Sequence, residues 1–253
     1  MKKNMKIFIN IILIIIILIC AFKIGYKYLE YYRDGKNYSK VQILKPNIQQ
    51  NVKEDSNEEK LKQINSDYKF WINIPSSDIN YPVVQGKDNK FYLHNNFYRE
   101  KSASGTVFID YKNNINSDKN IIIYGHNMKN GTMFNKINDF KKQENFNNGT
   151  IKITKDNKDY NYEIFSVFVE DGDYTGLRTN FNSNEDYKKY IDYLKEKSMY
   201  NKDIKGNNYN NIITLYTCSY EFKDARTIVC AMLKWEYTIK YSLYTLEKKY
   251  IIE

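Results

Sequence analysis

Cys218 closes the run Ile212-Ile213-Thr214-Leu215-Tyr216-Thr217-Cys218, and the polar turn 219–224 separates it from a second apolar run opening at Arg226. A cysteine at a strand end stands at a rim, where a substrate can reach it. A guanidinium heading the neighbouring strand lies near that sulfur. A free thiol has a pKa of about 8.5, and adjacent positive charge lowers it towards the nucleophilic thiolate. His126 follows the apolar run Asn120-Ile121-Ile122-Ile123-Tyr124-Gly125 and precedes Asn127-Met128. It too leaves a strand, and imidazole is the natural group to protonate a departing amine near neutral pH. The other histidine, His94, sits in a turn-like polar stretch with no strand leading to it. A surface histidine capping a loop is the bland reading of either one, and a buried structural role is the bland reading of any cysteine. Cys230, inside Ile228-Val229-Cys230-Ala231-Met232, fits that role, and Cys20 falls in an apolar run. A Cys218–Cys230 disulfide would consume the thiol and is not expected.

Strands must hold these groups. From residue 70 onward, short β-rich runs alternate with Asn, Asp, Gly and Ser clusters. Eight strands are predicted, at 70–74, 79–85, 106–110, 120–124, 150–155, 160–170, 211–217 and 226–236. Eight suits a closed barrel, which removes the exposed edges an open sheet must protect. A helix is predicted over 184–197, with Ser183 and Asp186 as a capping box and Tyr187, Ile191 and Leu194 at helical spacing. It lies in a connection of some forty residues between the sixth and seventh strands. Connections that long are more often functional than idle. Upstream, residues 46–66 read as a polar linker passing into a helix near 58–68, with Leu61, Ile64 and Tyr68 on one face. No Walker loop, dinucleotide-binding glycine pattern, HExxH or CxxC occurs.

Charge narrows the function classes. The 253 residues include 39 Lys+Arg and 30 Asp+Glu, a formal charge of +9. Residues 1–45 carry nine of the basic groups against Glu30 and Asp34, so the rest of the chain is nearly neutral. A nucleic-acid-binding domain normally carries its excess on the folded part. Three cysteines are too few for a disulfide scaffold, and two histidines are too few for a multi-histidine metal centre. Between Lys6 and Lys23, IFINIILIIIILICAF is apolar except for Asn10. A spanning helix is feasible because Lys6 and Lys23 can snorkel and Tyr26 and Tyr28 can occupy the interface. A cleaved leader is the alternative, but no small-x-small site follows the run, and an uncleaved anchor is expected. Three lysines precede the span and six basic residues follow it by Lys45, so flanking charge alone does not settle orientation.

Thr214-Leu215-Tyr216-Thr217-Cys218 matches the TLxTC signature of sortases, with Arg226 where that family places its arginine. Tyr81-Pro82-Val83-Val84-Gln85, Tyr124-Gly125-His126-Asn127-Met128, Gly131-Thr132-Met133-Phe134 and the helix 184–197 resemble class B sortases in particular. The resemblance runs from about residue 60 to 236. It implies a mainly β fold: an eight-stranded sortase-type barrel with an N-terminal helix and a helix inserted between strands 6 and 7, preceded by a transmembrane helix. The organisation expected is a short cytoplasmic N-terminus (1–6), an anchor (7–25), a stalk (26–57) and a catalytic domain (58–253).

The same resemblance implies a membrane-anchored transpeptidase on the outer face of a Gram-positive-type envelope. Cys218 attacks the carbonyl after the threonine of a C-terminal sorting motif, and the product is a thioester. His126 protonates the leaving amine, and Arg226 holds the substrate backbone and the oxyanion. A peptidoglycan amine then takes the acyl group, so the partners are surface proteins bearing a sorting signal, a cell-wall precursor and membrane lipid, and not nucleic acid. Asn80, Tyr124, Leu177 and Thr217 would line the peptide groove, although ordinary strand packing is the plainer reading of each. No cofactor and no metal are implied, and Glu170-Asp171-x-Asp173 reads as a solvated turn. No carboxylate is assigned to orient His126. Two alternatives stand beside this one: a pilin-polymerising sortase, and an anchored barrel that binds envelope polymers without catalysis. The tail 237–253 extends past the usual end of the family and has no assigned role.

Overall fold

The computed structural model describes residues 2–47, 57–202 and 210–234. Eight strands close into one barrel. They are β1 (Tyr68–Asn73), β2 (Asn80–Val84), β3 (Phe108–Ile109), β4 (Asn120–Tyr124), β5 (Thr150–Lys155), β6 (Lys158–Asp171), β7 (Ile212–Cys218) and β8 (Ala225–Leu233). Around the barrel the order is β1-β2-β3-β4-β7-β8-β6-β5, with β5 pairing back onto β1. The β2–β3 and β4–β7 pairs are parallel and the rest antiparallel. The parallel β4–β7 pair requires a long crossover, and β5, β6 and α4 (Asn184–Lys197) occupy that crossover.

Alternation along the strands separates two apolar faces. Ile123 of β4, Ile213 and Leu215 of β7, and Val229 and Ala231 of β8 point into the barrel. Ile212 of β7 with Ile228, Cys230 and Met232 of β8 point outward, where α4 covers them with Tyr187, Tyr190, Ile191 and Leu194. That i, i+3, i+4, i+7 spacing is the apolar stripe of an amphipathic helix. The Ser183 hydroxyl accepts the Asp186 amide at 3.1 Å. The Asp186 carboxylate accepts from the Asn182 amide rather than from that of Ser183, so only half of the expected capping box forms.

Three expectations are corrected. The strand expected over 106–110 shortens to Phe108–Ile109, because the chain before it is engaged with the β2–β3 connection: the Thr106 amide donates to the Tyr92 carbonyl. The helix expected over 58–68 is α2 (Asn57–Ile64). It stops where Asn65 turns inward, donating to the Phe97 carbonyl and the Tyr92 hydroxyl, so Ile64 is exposed and Tyr68 belongs to β1. Upstream, α1 runs unbroken over Lys2–Gln42, through much of the expected stalk. Its apolar part is long and hydrophobic enough to cross a membrane and touches nothing else in the chain. Its last turns dock on the barrel, where Tyr38 and Val41 are buried. The end expected for strand 8 at 235–236 and the tail 237–253 lie outside the described residues.

Candidate active site

One barrel rim gathers the ends of β4 and β7 with the start of β8. Tyr124 is the register partner of Tyr216 in the parallel β4–β7 pair, and their rings lie 5.3 Å apart on the outer face. His126 and Cys218 each stand two residues further along, and the segments stay together there because Asn127, next to His126, donates to the Cys218 carbonyl. Across the antiparallel β7–β8 pair, Cys218 is the direct register partner of Arg226. Opposed residues on one face bring their Cβ atoms to about 4.5–5.5 Å. Histidine, cysteine and arginine therefore form a row on three adjacent strand ends, with the thiol in the middle. Cys218 is exposed and free, while Cys230 is buried behind it, its thiol pushed up to about 12 by burial.

Backbone contacts fix the row. The Gly125 amide donates to the Tyr216 carbonyl at 3.2 Å, and the Thr217 hydroxyl donates to the Gly125 carbonyl at 2.7 Å. A side chain at Gly125 would lie 2.6 Å from the Phe134 ring, so only glycine lets the chain leave β4 over that buried aromatic. Asn127 donates from Nδ2 to the Cys218 carbonyl at 2.8 Å, and its Oδ1 accepts from Asn135 at 2.7 Å. His126 Nε2 lies 2.8 Å from the Leu93 carbonyl oxygen. A carbonyl can only accept, so Nε2 carries the proton and Nδ1 is the nitrogen left to exchange one. The orienter of the histidine is thus a main-chain carbonyl of the β2–β3 connection, invisible to a search for carboxylates.

Arg226 is held from below. One of its Nη atoms donates to the carbonyls of Asp224 at 2.8 Å and Ala225 at 3.0 Å. The other lies against Gly172, where a Cβ would come within 3.0 Å of it. Burial raises the Tyr216 hydroxyl pKa, and the Arg226 guanidinium beside it partly offsets that rise. Asp224, in the turn between thiol and guanidinium, adopts φ +61°, a left-handed conformation that aspartate tolerates better than most residues. Glu221, in the same turn, pairs with Lys141, which also donates to Asn138 at 2.9 Å and Thr227 at 3.2 Å. Burial pushes the Glu221 carboxyl up, but hydrogen bonds from Lys141, Ser219 and its own backbone amide, with the Lys141 charge, together hold the net value down at about 2. Neither Glu221 nor Asp224 has a hydrogen bond to His126.

The four residues expected to line a groove divide. Tyr124 lies on the outer face beside Tyr216, its hydroxyl donating to Asp110 at 2.9 Å. Burial, with the Asp110 charge next, pushes that hydroxyl far above the usual tyrosine range. Leu177 is half-buried in the β6–β7 connection, packed against the α4 layer. Thr217 turns inward, 2 % exposed, and meets the site through its bond to Gly125. Asn80 stands at the same rim three strands away, its carboxamide oxygen accepting from Trp71 at 2.8 Å and Asn73 at 3.3 Å. The trio, Tyr124 and Leu177 are brought towards one face; Asn80 is not. Among the described residues no cluster of metal-ligating side chains occurs. Leu93, Asn127 and Gly172 were missed, and only Asn127, adjacent to His126, carried a local signal.

Known proteins share this sequence pattern and fold. The sortase domain profile matches residues 72–234. Sortase B of Staphylococcus aureus is 34% identical over 242 residues, covering 92% of this chain and 98% of the relative. Sortase B of Listeria monocytogenes is 37% identical over 163 residues, 64% of this chain and 66% of the relative. Among solved structures, Clostridium perfringens sortase B is 45% identical with a TM-score of 0.68, over 70% of this chain and all of that one. A Staphylococcus aureus sortase B–substrate complex gives 31% identity and a TM-score of 0.73, over 81% and 98% of the two chains. The barrel, the strand-end cysteine and the near full-length match place this chain among the class B sortases, a family of cysteine transpeptidases.

Proposed function

We propose that this sortase cleaves a C-terminal sorting motif after its threonine and transfers the acyl group to a peptidoglycan amine, anchoring surface proteins to the cell wall. The observation that carries the reading is the row His126–Cys218–Arg226 on adjacent strand ends. Cys218 Sγ attacks the threonine carbonyl carbon, and the oxyanion forms beside the Arg226 guanidinium, a fixed cation where charge develops. Two main-chain carbonyls already hold one Nη, so the guanidinium need not reorganise as that charge appears. His126 delivers a proton from Nδ1 to the leaving amine, leaving a thioester on Cys218. The acceptor amine attacks that thioester, gives its proton back to Nδ1, and the thiolate departs. Tyr124 and Leu177 border the peptide on the outer face, while Thr217 and Asn80 act through the backbone positions they hold.

The apolar part of α1 acts as a single-pass anchor, with residues 1–6 inside and the barrel outside the cell membrane, where sorting signals and wall precursors meet. The test is incubation of the protein with a library of sorting-motif peptides and a nucleophilic amine, read by mass spectrometry. Cleavage after threonine with amine-capped product is expected, and both are absent in Cys218→Ala and His126→Ala. An intact Cys218→Ala protein that cleaves like the parent would overturn the mechanism.

A further inference from the structure

The helix that carries the apolar run is strapped to the segment that holds His126. Asp34 and Tyr38 of α1 are 5 % and 8 % exposed. The Asp34 carboxylate accepts the Ser104 amide at 3.1 Å, and the Tyr38 hydroxyl donates to the Gly105 carbonyl. Gly105 has φ +58°, and a Cβ there would come within 2.5 Å of the Tyr92 carbonyl oxygen and 2.8 Å of the Leu93 one. Residues 104–105 are therefore pressed on the peptide whose carbonyl accepts from His126 Nε2 at 2.8 Å. The Thr106 amide donates to the Tyr92 carbonyl and the Ser102 amide to the His94 carbonyl, at 2.9 and 3.0 Å, so residues 92–106 are tied into one closed loop. From Asp34 to the imidazole there is no gap in this chain of contacts.

We infer that Asp34 and Tyr38 are positioning residues for His126, acting through Gly105 and the Leu93 carbonyl, so that the docked end of the membrane helix sets the geometry of the acid–base group. The inference rests on the proposed role of His126. Neither residue reaches the reacting atoms. Their effect is to fix where the Leu93 oxygen stands, and with it the ring and the direction of Nδ1. A misplacement of about 1 Å in a catalytic group costs up to about a hundredfold in rate.

The experiment uses the full chain in detergent micelles. With only two histidines in the sequence, ¹⁵N-histidine spectra assign His126 by comparison with His94→Asn. In Tyr38→Phe, which keeps the ring against Tyr81, and in Asp34→Ala, the His126 Nε2–H signal should shift and exchange faster with water. Turnover of the cleaved peptide should fall about tenfold in kcat with KM within twofold. Asp34→Asn, which keeps an acceptor for the Ser104 amide, should restore both. Folded variants with an unmoved His126 signal and unchanged kcat overturn the inference. So does a kcat loss that tracks a lower Tm while the signal stays in place. If Asp34→Ala does not fold, Tyr38→Phe alone decides. If no peptide is turned over by the parent, the functional reading fails, and the spectral arm still tests the strap.

Discussion

A nucleophile at a strand end takes its precision from the ladder behind it, and the residues around Cys218 show what that ladder leaves to side chains. Gly172 gives the Arg226 guanidinium room. Gly172→Val should displace the guanidinium and lower kcat by about ten- to a hundredfold with little change in Tm, read by peptide cleavage beside thermal unfolding. Glu221 ties the turn between thiol and guanidinium to Lys141. Its carboxyl pKa is about 2 in the folded chain, below the ordinary unfolded value of about 4.3. The tie is therefore fully present above about pH 4.3 and is lost as pH falls through about 2. Hydrogen exchange at residues 219–225 should stay slow to about pH 3 and then accelerate. Glu221→Gln should make it fast at every pH, and slow exchange in that variant would remove the tie from the account.

At the scale of elements, Gly125 is the point where β4 must end over Phe134. Gly125→Ala should destabilise the barrel by about 1–3 kcal/mol by driving the buried ring off its site, measured by denaturant unfolding. Because His126 is the next residue, activity should fall further than stability. Ser183→Ala should cost about 1 kcal/mol through the lost cap of α4. Short β-rich runs bounded by Asn, Asp, Gly and Ser clusters made β4, β5 and the paired strands β7 and β8 legible, and helical spacing marked α4. β3 was legible in place but not in length, keeping two of the five residues expected. The elements that stayed hidden have physical reasons. The 3₁₀ turn at Phe91–Leu93 is only three residues long, too short to show a period, and that at Asn135–Lys141 is built mostly from Asn, Asp and Lys. Glu58 and Asp34 are buried carboxylates, which hydropathy reads as solvated. Glu58 accepts both turn amides of the β5–β6 hairpin, Asp156 and Asn157, at 3.0 Å. The thiol, imidazole and guanidinium were legible because each closes or opens an apolar run; the Leu93 carbonyl was not, since any residue type supplies one.

For the whole molecule, the excess of positive charge belongs to the α1 region, and the barrel is nearly neutral. A chain lacking residues 1–22 should leave the membrane fraction in cell fractionation while the docked turns of α1 stay with the barrel. Retention in the membrane would mean that another surface holds it. The unbroken helix also acts as a ruler. From Lys23, the first charge after the apolar run, to Asp34, where the barrel is gripped, eleven residues rise about 16 Å along the axis. A random coil of that length would let the catalytic rim wander through a volume; a helix assigns it an altitude. With the apolar run anchored as proposed, the encounter with a membrane-held substrate becomes a search in two dimensions, open only to cleavage points presented at that height. Inserting four residues in the exposed stretch before Asp34 would raise the barrel by about 6 Å and turn it by about 40°, changing which substrates are within reach without touching the chemistry.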